Sequence, residues 1–219
     1  ALTQAYAEVN DGESLLVEME GHGRESISES LDLSRTVGWF TSLYPVRLDI
    51  SDAKDPLAAL KLVKEQTRSV PRGGLGFGVL KYLNAESDIA KLLRQAPRPE
   101  ICFNYIGEQT MPAAQANAIG VAAESYGRTN SERGLRPYLL MITAEIRKGQ
   151  LSVRWGYSRN LHRETTIRHL ARSFKKAFKS LIDCCETDDT TLFTPSDFPD
   201  ANLSQLELDE FISSIGAIG

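Results

Sequence analysis

A long amphipathic segment at residues 163–185 most constrains how this chain folds. Its apolar residues recur at the spacing of one helical face, and basic residues occupy the other side. The apolar positions are Ile167, Leu170, Phe174, Phe178, Leu181 and Ile182. Because a continuous apolar stripe has to be buried against another layer of structure, we predict that this helix covers one face of a β-sheet.

Apolar and alternating segments supply the strands of such a sheet. Residues 14–21 and 100–106 each predict a strand, and residues 138–158 predict a β-hairpin. Residues 36–50 predict a strand that bends or ends at Pro45, because proline cannot donate to a strand ladder. The predicted fold class is therefore α/β, with a mixed sheet and helices packed on it.

Shorter helices are predicted between these strands and at the C-terminal end. Asp55 followed by Pro56 has the pattern of an N-cap and a first helical residue. Residues 3–10 and 86–95 also have helical spacing, and residues 204–213 begin with a capping-box pattern. The connecting segments are predicted to be loops: residues 21–34, 107–118 and 187–202.

Composition excludes several classes of function. The 219 residues suit one domain or a large half of a bigger one, and the net charge of −4 gives no basic footprint for nucleic acid. No apolar run approaches the roughly 20 residues of a membrane span, and no signal peptide is evident. The three cysteines have no disulfide or zinc spacing, which favours reduced thiols and a cytoplasmic protein. The chain starts at Ala1 without a methionine, which predicts a fragment or a processed chain.

A dense polar cluster follows the first predicted strand. Residues 20–25 read Glu-Gly-His-Gly-Arg-Glu, so two carboxylates, an imidazole and a guanidinium stand at one strand end. Such a cluster can form a salt-bridged corner, in which Glu20 pairs with Arg24 or Arg35. It can also form an acid/base site, because crowding and burial bring carboxylates into the working pH range.

Three further segments follow in order: residues 35–45 (RTVGWFTSLYP), residues 71–78 (PRGGLGFG) and residues 103–107 (FNYIG). Together with residues 20–25 they resemble the C-terminal half of the epimerization domain of nonribosomal peptide synthetases. That family belongs to the condensation-domain superfamily. Two positions depart mildly from the family pattern: Phe77 stands where Tyr is more usual, and Glu108 where Gln or Arg is more usual.

The resemblance implies a chloramphenicol-acetyltransferase-like subdomain at residues 1–186 and a C-terminal linker at 187–219, whose short helix either docks a neighbour or folds back on the domain. It implies epimerization of an aminoacyl or peptidyl thioester by removal and return of the Cα proton. The substrate would be carried on the phosphopantetheine of a peptidyl carrier protein domain, with no metal or cofactor bound by the domain itself. A downstream synthetase is a further expected partner.

The resemblance also assigns roles to residues of this chain. Glu20 matches the family's acid/base, and Asn104 and Tyr105 match a pair near the active site. A phenol at that place could donate to the enolate or reprotonate it, and an amide could bind its oxygen; the alternative for Tyr105 is a tyrosine that caps a core. The supporting or channel residues are His22, Arg24, Trp39, Phe40 and Tyr44.

By themselves, these supporting residues have plainer interpretations. His22 between glycines is typical of a hydrogen-bonded structural histidine. Arg24 and Glu25 are predicted to form an ion pair that braces the turn. The aromatic residues Trp39, Phe40 and Tyr44 are by default core residues.

One motif of the superfamily is absent from this sequence. His-His-x-x-x-Asp-Gly belongs to the N-terminal half, and none of His22, His162 and His169 is followed by Asp-Gly at that spacing. The N-terminal half of the same domain is therefore an expected partner, and this half alone is predicted to be inactive. Two alternatives remain open: a non-catalytic module that docks a carrier protein or synthetase, and a fragment of a condensation domain that forms peptide bonds.

Overall fold

The computed structural model describes residues 1–10, 12–25, 31–84, 87–109, 124–125, 127, 131, 134–187 and 192–216. Its centre is a five-stranded mixed sheet with the strand order β2-β1-β3-β4-β5. The strands are β1 (Ser14–Gly21), β2 (Ser42–Asp49), β3 (Ile101–Gln109), β4 (Leu140–Arg147) and β5 (Gln150–Tyr157). The predicted strands at 14–21 and 100–106 and the hairpin β4–β5 are confirmed.

The helices of the described residues occupy predicted segments, except the short helix at Leu75–Gly78, which was not predicted. They are α1 (Leu2–Asn10), α2 (Pro56–Arg68), α3 (Leu75–Gly78), α4 (Asp88–Gln95), α5 (Glu164–Thr187) and α6 (Gln205–Gly216). Short 3₁₀ turns lie at Pro71–Gly74, Pro195–Asp197 and Pro199–Ala201, and a π-turn lies at Val79–Leu83. Within the described ranges, every helix is too short or too polar to cross a lipid bilayer.

The register of the central strands positions the candidate site. β1 runs antiparallel to β2 and parallel to β3, with Glu18 beside Cys102 and Met19 beside Phe103. Parallel neighbours end at the same edge of a sheet. Because Met19 pairs with Phe103, the polar cluster that begins at Glu20 lies beside β3 from Asn104 onward.

Helices α1, α2 and α5 cover one face of this sheet. The edge of Trp155 from β5 meets the ring of Phe174 from α5 at a centroid distance of 5.6 Å. The main core contains these buried residues: Leu2, Ala5, Leu15, Val17, Val46, Leu48, Ile101, Leu140, Ile142, Ile167, Leu170 and Phe174. The prediction that the long helix covers a sheet face is confirmed, except that Ile182 at the end of its stripe is 41% exposed.

The predicted strand at residues 36–50 is wrong at its beginning. β2 starts only at Ser42, and Val37 and Trp39 before it are 100% and 91% exposed. The strand then runs through Pro45, which lies beside Glu18 of β1. Because β2 is an edge strand, the missing N–H of the proline can face away from the sheet, and no bend is required.

Two other predictions are changed by the structure. Helix α4 is confirmed, but its large residues Ile89 and Leu92 are 54% and 66% exposed while the small Ala90 is buried. Strand β3 continues to Gln109, into the predicted loop at 107–118. The remainder of that loop lies outside the described residues.

The C-terminal segment folds back onto α2. Asp197 accepts hydrogen bonds from Arg68 and Lys64, and these donors hold the pKa of its carboxyl well below the usual range. Further on, Lys61 Nζ lies 2.9 Å from Asp209 Oδ1 of α6. These contacts favour the folded-back interpretation of the C-terminal helix. The division of the chain at residue 187 stays a prediction.

The N-cap of α2 provides a test of the local structure. The Oδ1 atom of Asp55 accepts a hydrogen bond from the backbone N–H of Ala58 at 2.8 Å. We expect Asp55→Ala to lower the free energy of unfolding by about 1 kcal/mol, since one N–H of the first turn loses its partner. Urea denaturation measures the change. Asp55→Asn keeps an N-cap side chain, so its free energy of unfolding should fall far less. Equal decreases in the two variants would contradict the assignment of Asp55 as the N-cap.

Candidate active site

Glu20 lies at the end of β1 beside Asn104 of β3. The side-chain amide of Asn104 donates a hydrogen bond to Oε2 of Glu20. On the other carboxylate oxygen, Oε1, the Sγ atom of Cys102 lies 3.8 Å away. Each oxygen of Glu20 therefore has one donor from β3, and each keeps a lone pair for a further proton or donor.

These side chains lie on the face of the sheet that α1, α2 and α5 leave uncovered. Successive residues of a strand point to opposite faces. Met19 and Phe103 line a cavity together with Leu60 of α2, on the helix-covered face. Glu20 and Asn104 are therefore on the opposite face, which we call the open face, and both are partly exposed.

Tyr105 does not share this position. Tyr105 follows Asn104 in β3, so its side chain belongs to the helix-covered face of the sheet. It is 52% exposed. The register of β3 against β4 shifts between Tyr105 and Glu108, so the strand changes direction just beyond it. The structure thus brings Asn104 to Glu20 but not Tyr105, whose catalytic role stays a prediction.

The residues after Glu20 form a structured turn. The Nδ1 atom of His22 accepts a hydrogen bond from the backbone N–H of Arg24 at 3.0 Å, and its Nε2 atom lies 3.1 Å from Oε1 of Glu25. The guanidinium of Arg24 donates to the carbonyls of Leu33 and Thr36 at 2.6 and 2.9 Å. The predicted Arg24–Glu25 ion pair is wrong, because Glu25 pairs with His22 while Arg24 holds the next loop. His22 is hydrogen-bonded within the turn, as its structural interpretation predicts.

Three of the motif segments meet beside this turn. The guanidinium of Arg24 lies 4.1 Å from the ring centroid of Phe40. Tyr44 packs so closely on Gly74 that a Cβ there would lie 2.0 Å from its ring, and Glu25 packs against Gly73. Burial, and then the charge of Glu25, raise the pKa of Tyr44. The motifs are therefore one packed unit around the turn.

Trp39 differs from its two aromatic neighbours. Phe40 and Tyr44 are partly buried, whereas Trp39 is 91% exposed. The interpretation of Trp39 as a core residue of this chain is wrong. It belongs to residues 36–41, which precede β2 and pair with no strand.

Three residues near Glu20 were missed by sequence reasoning. Glu18 and Cys102 each lie two residues before Glu20 and Asn104 in their strands, and therefore on the same face. Tyr138 Oη donates to Glu18 Oε2 at 2.9 Å. The two-residue spacing of Glu18 and Glu20 was a readable signal for a shared face. Tyr138 had no such signal, because 120 residues separate it from its partner.

Comparison with known proteins identifies the family of this chain. The family model described as a condensation domain matches residues 2–204. The chain belongs to the condensation-domain family. Its relatives in this family include a linear gramicidin synthase protein of Brevibacillus parabrevis, 40% identical over 97% of this chain, and gramicidin S synthase 1 of Brevibacillus brevis, 36% identical over 96%.

Solved structures place the fold within the same family of nonribosomal peptide synthetase domains. The epimerization domain from the third module of tyrocidine synthetase B is 35% identical, with a TM-score of 0.75 over 85% of this chain. The condensation domain that releases chains from the enacyloxin polyketide synthase is 14% identical with a TM-score of 0.52, a likeness of fold alone. The predicted chloramphenicol-acetyltransferase-like α/β fold is confirmed.

The chain covers only part of these proteins. It spans 41% of the solved epimerization domain, 19% of gramicidin S synthase 1 and 3% of the linear gramicidin synthase protein. Activity, substrates and partners of such larger proteins are therefore matters for proposal. In the described part of the chain, no three His, Cys, Asp or Glu side chains are grouped so that they could hold a metal ion.

Proposed function

We propose that this chain is the C-terminal half of an epimerization domain of a nonribosomal peptide synthetase. The domain converts an L-aminoacyl or peptidyl residue to the D form, on a thioester carried by the phosphopantetheine arm of a peptidyl carrier protein. The observation that carries the proposal is the Glu20 carboxylate near the end of β1, which accepts a hydrogen bond from Asn104 of β3 on the open face. The likeness to the tyrocidine epimerization domain supports the same assignment.

The chemistry needs a base that is fixed in place. The thioester acidifies the Cα proton, and Glu20 removes it through a lone pair that its donors leave free. One N–H of the Asn104 amide is used on Glu20, and the second is available to an enolate oxygen. The proton then returns to the opposite face of the carbanion.

The proton donor for that second face comes from the N-terminal half of the domain. No metal or redox cofactor is required for the proton transfers, so the only prosthetic group in the proposal is the phosphopantetheine of the carrier. The carrier protein, the N-terminal half and a downstream synthetase are the proposed partners. The 219-residue chain by itself is proposed to be inactive.

A reaction in D₂O tests this proposal. The chain joined to its N-terminal half is mixed with a carrier protein loaded with an L-aminoacyl thioester. We expect deuterium at Cα and accumulation of the D residue, and neither product with the 219-residue chain alone. Chiral analysis and mass spectrometry of the released amino acid measure both.

Two results would overturn the proposal. Peptide-bond formation with a second aminoacyl carrier, without Cα exchange, would assign the chain to a condensation domain. Binding of the carrier with neither reaction would make it a docking module.

A further inference from the structure

The surroundings of Glu20 contain more ionisable groups than the proposed proton transfer uses. On the open face, Cys102 lies between two carboxylates: it is the register partner of Glu18 and lies 3.8 Å from Oε1 of Glu20. Tyr138 approaches from the segment before β4 and donates to Glu18 at 2.9 Å. The order Tyr138–Glu18–Cys102–Glu20 forms a continuous polar line, which we call the Cys102 line.

The thiol in this line stays protonated. Cys102 has no exposed surface. Burial, and then the charges of Glu20 and Glu18, raise the pKa of Cys102 to about 12. A thiol in this state is no nucleophile, since the thiolate is the reactive form. It is instead a group that can donate its S–H, and Glu20 provides the acceptor.

Tyr138 holds the other carboxylate of the line. Burial, and then its hydrogen bond to Glu18, raise the pKa of the Tyr138 phenol well above its usual range, so this group is also a donor. The hydrogen bond from the Tyr138 hydroxyl to Oε2 of Glu18 fixes the Glu18 carboxylate beside the Cys102 thiol. Burial, and then the two carboxylates, keep the thiol protonated, and Glu20 receives the S–H.

We propose that Cys102 is a positioning residue for Glu20: its S–H donates to Oε1 while the Asn104 amide donates to Oε2, so that the carboxylate plane is fixed toward the open face. This inference deepens the proposed function and rests on it for its kinetic part. Cys102 and Asn104 stand two residues apart on one strand, and two donors from one rigid element restrict rotation of the carboxylate. An S–H group is a weak donor, so it orients the anion with less stabilisation of the charge than a hydroxyl or an ammonium group gives.

Vibrational spectroscopy tests the donor geometry without any assay of activity. In the 219-residue chain, Cys184→Ser and Cys185→Ser leave Cys102 as the single thiol, so one S–H stretching band remains in the Raman spectrum. We expect Glu20→Gln to move this band to higher wavenumber, because a neutral amide oxygen accepts more weakly than a carboxylate. Met141→Leu is the matched control: it changes the neighbour of Cys102 on β4 without changing an acceptor, and should leave the band in place. A band that does not respond to Glu20→Gln would overturn the proposal.

Kinetics of the complete domain test the consequence for catalysis. Cys102→Ala and Cys102→Val both remove the donor; the first leaves a smaller side chain and the second a larger one. We expect each to lower kcat for Cα exchange about tenfold with KM unchanged, because a misdirected base slows the chemical step and leaves substrate binding intact. A lower kcat in Cys102→Ala but not in Cys102→Val would assign Cys102 to packing only and overturn the proposal. A rise in KM with kcat preserved would do the same. If the wild-type domain shows no exchange, the proposed function fails, and the Raman result still decides whether Cys102 donates to Glu20.

Discussion

Replacing Glu20 by Gln in the complete domain is expected to slow Cα proton exchange by about 10²–10⁴-fold, the range that general acid–base catalysis contributes. The amide cannot take up a proton, yet it has the shape of the carboxylate, and its oxygen can still accept from Asn104. The fold and the binding of the carrier should therefore be retained. Release of deuterium from a Cα-deuterated aminoacyl thioester, measured under single turnover, gives the rate of the chemical step directly.

Glu25→Gln is the matched control for this prediction. Both carboxylates belong to residues 20–25, but Glu25 pairs with His22 and packs on Gly73, away from Asn104. We expect its rate loss to be far smaller than that of Glu20→Gln. Equal rate losses in the two variants, or an undiminished rate in Glu20→Gln, would remove Glu20 from the role of base.

Much of the fold could be predicted from sequence because periodicity reports burial. The stripe of α5 recurs over six positions, and such a pattern indicates a helix face that packs on an apolar surface. The strand β1 and the N-cap at Asp55 were equally readable, since both depend on neighbours along the chain. Features set by local sequence are the ones that survive in the structure.

The predictions failed where long-range packing decides. Residues 36–41 look like a strand, yet they form a connection whose place is fixed by Arg24 through the carbonyls of Leu33 and Thr36. The sequence neighbours Arg24 and Glu25 suggested an ion pair, but each side chain has a better partner elsewhere. No local sequence pattern predicts such long-range contacts.

The candidate site was likewise predictable from sequence only in part. The motif pointed to Glu20, and strand pairing then explains why Asn104 is its neighbour: β1 and β3 run parallel, and Met19 pairs with Phe103, so the next residues, Glu20 and Asn104, lie side by side. Tyr138 comes just before β4 in the chain, and it reaches Glu18 because β4 lies beside β3 in the sheet. Strand order in a sheet is a tertiary property, so this part of the site was beyond sequence reasoning.

Gly23 is the position where a small change should most disturb the turn that follows Glu20. Its φ is +69°, and a Cβ built there would lie 1.5 Å from the backbone oxygen of Phe40. Gly23→Ala therefore combines a left-handed backbone, which disfavours alanine by about 1–2 kcal/mol, with a steric overlap of a kind that costs about 1–3 kcal/mol more. Because Phe40 also packs on Arg24 at 4.1 Å, the substitution pushes apart the two loops that Arg24 joins.

Gly149→Ala separates the two effects of this substitution. Gly149 has a φ of +71°, nearly that of Gly23, but no atom lies within 4 Å of a Cβ built on it. Its loss of unfolding free energy, measured by urea denaturation, reports the backbone contribution alone. The excess loss in Gly23→Ala then measures the contact with Phe40. Equal losses in the two variants would mean that the segment before β2 moves aside freely, and that the packed unit of motifs does not hold the turn beside Glu20.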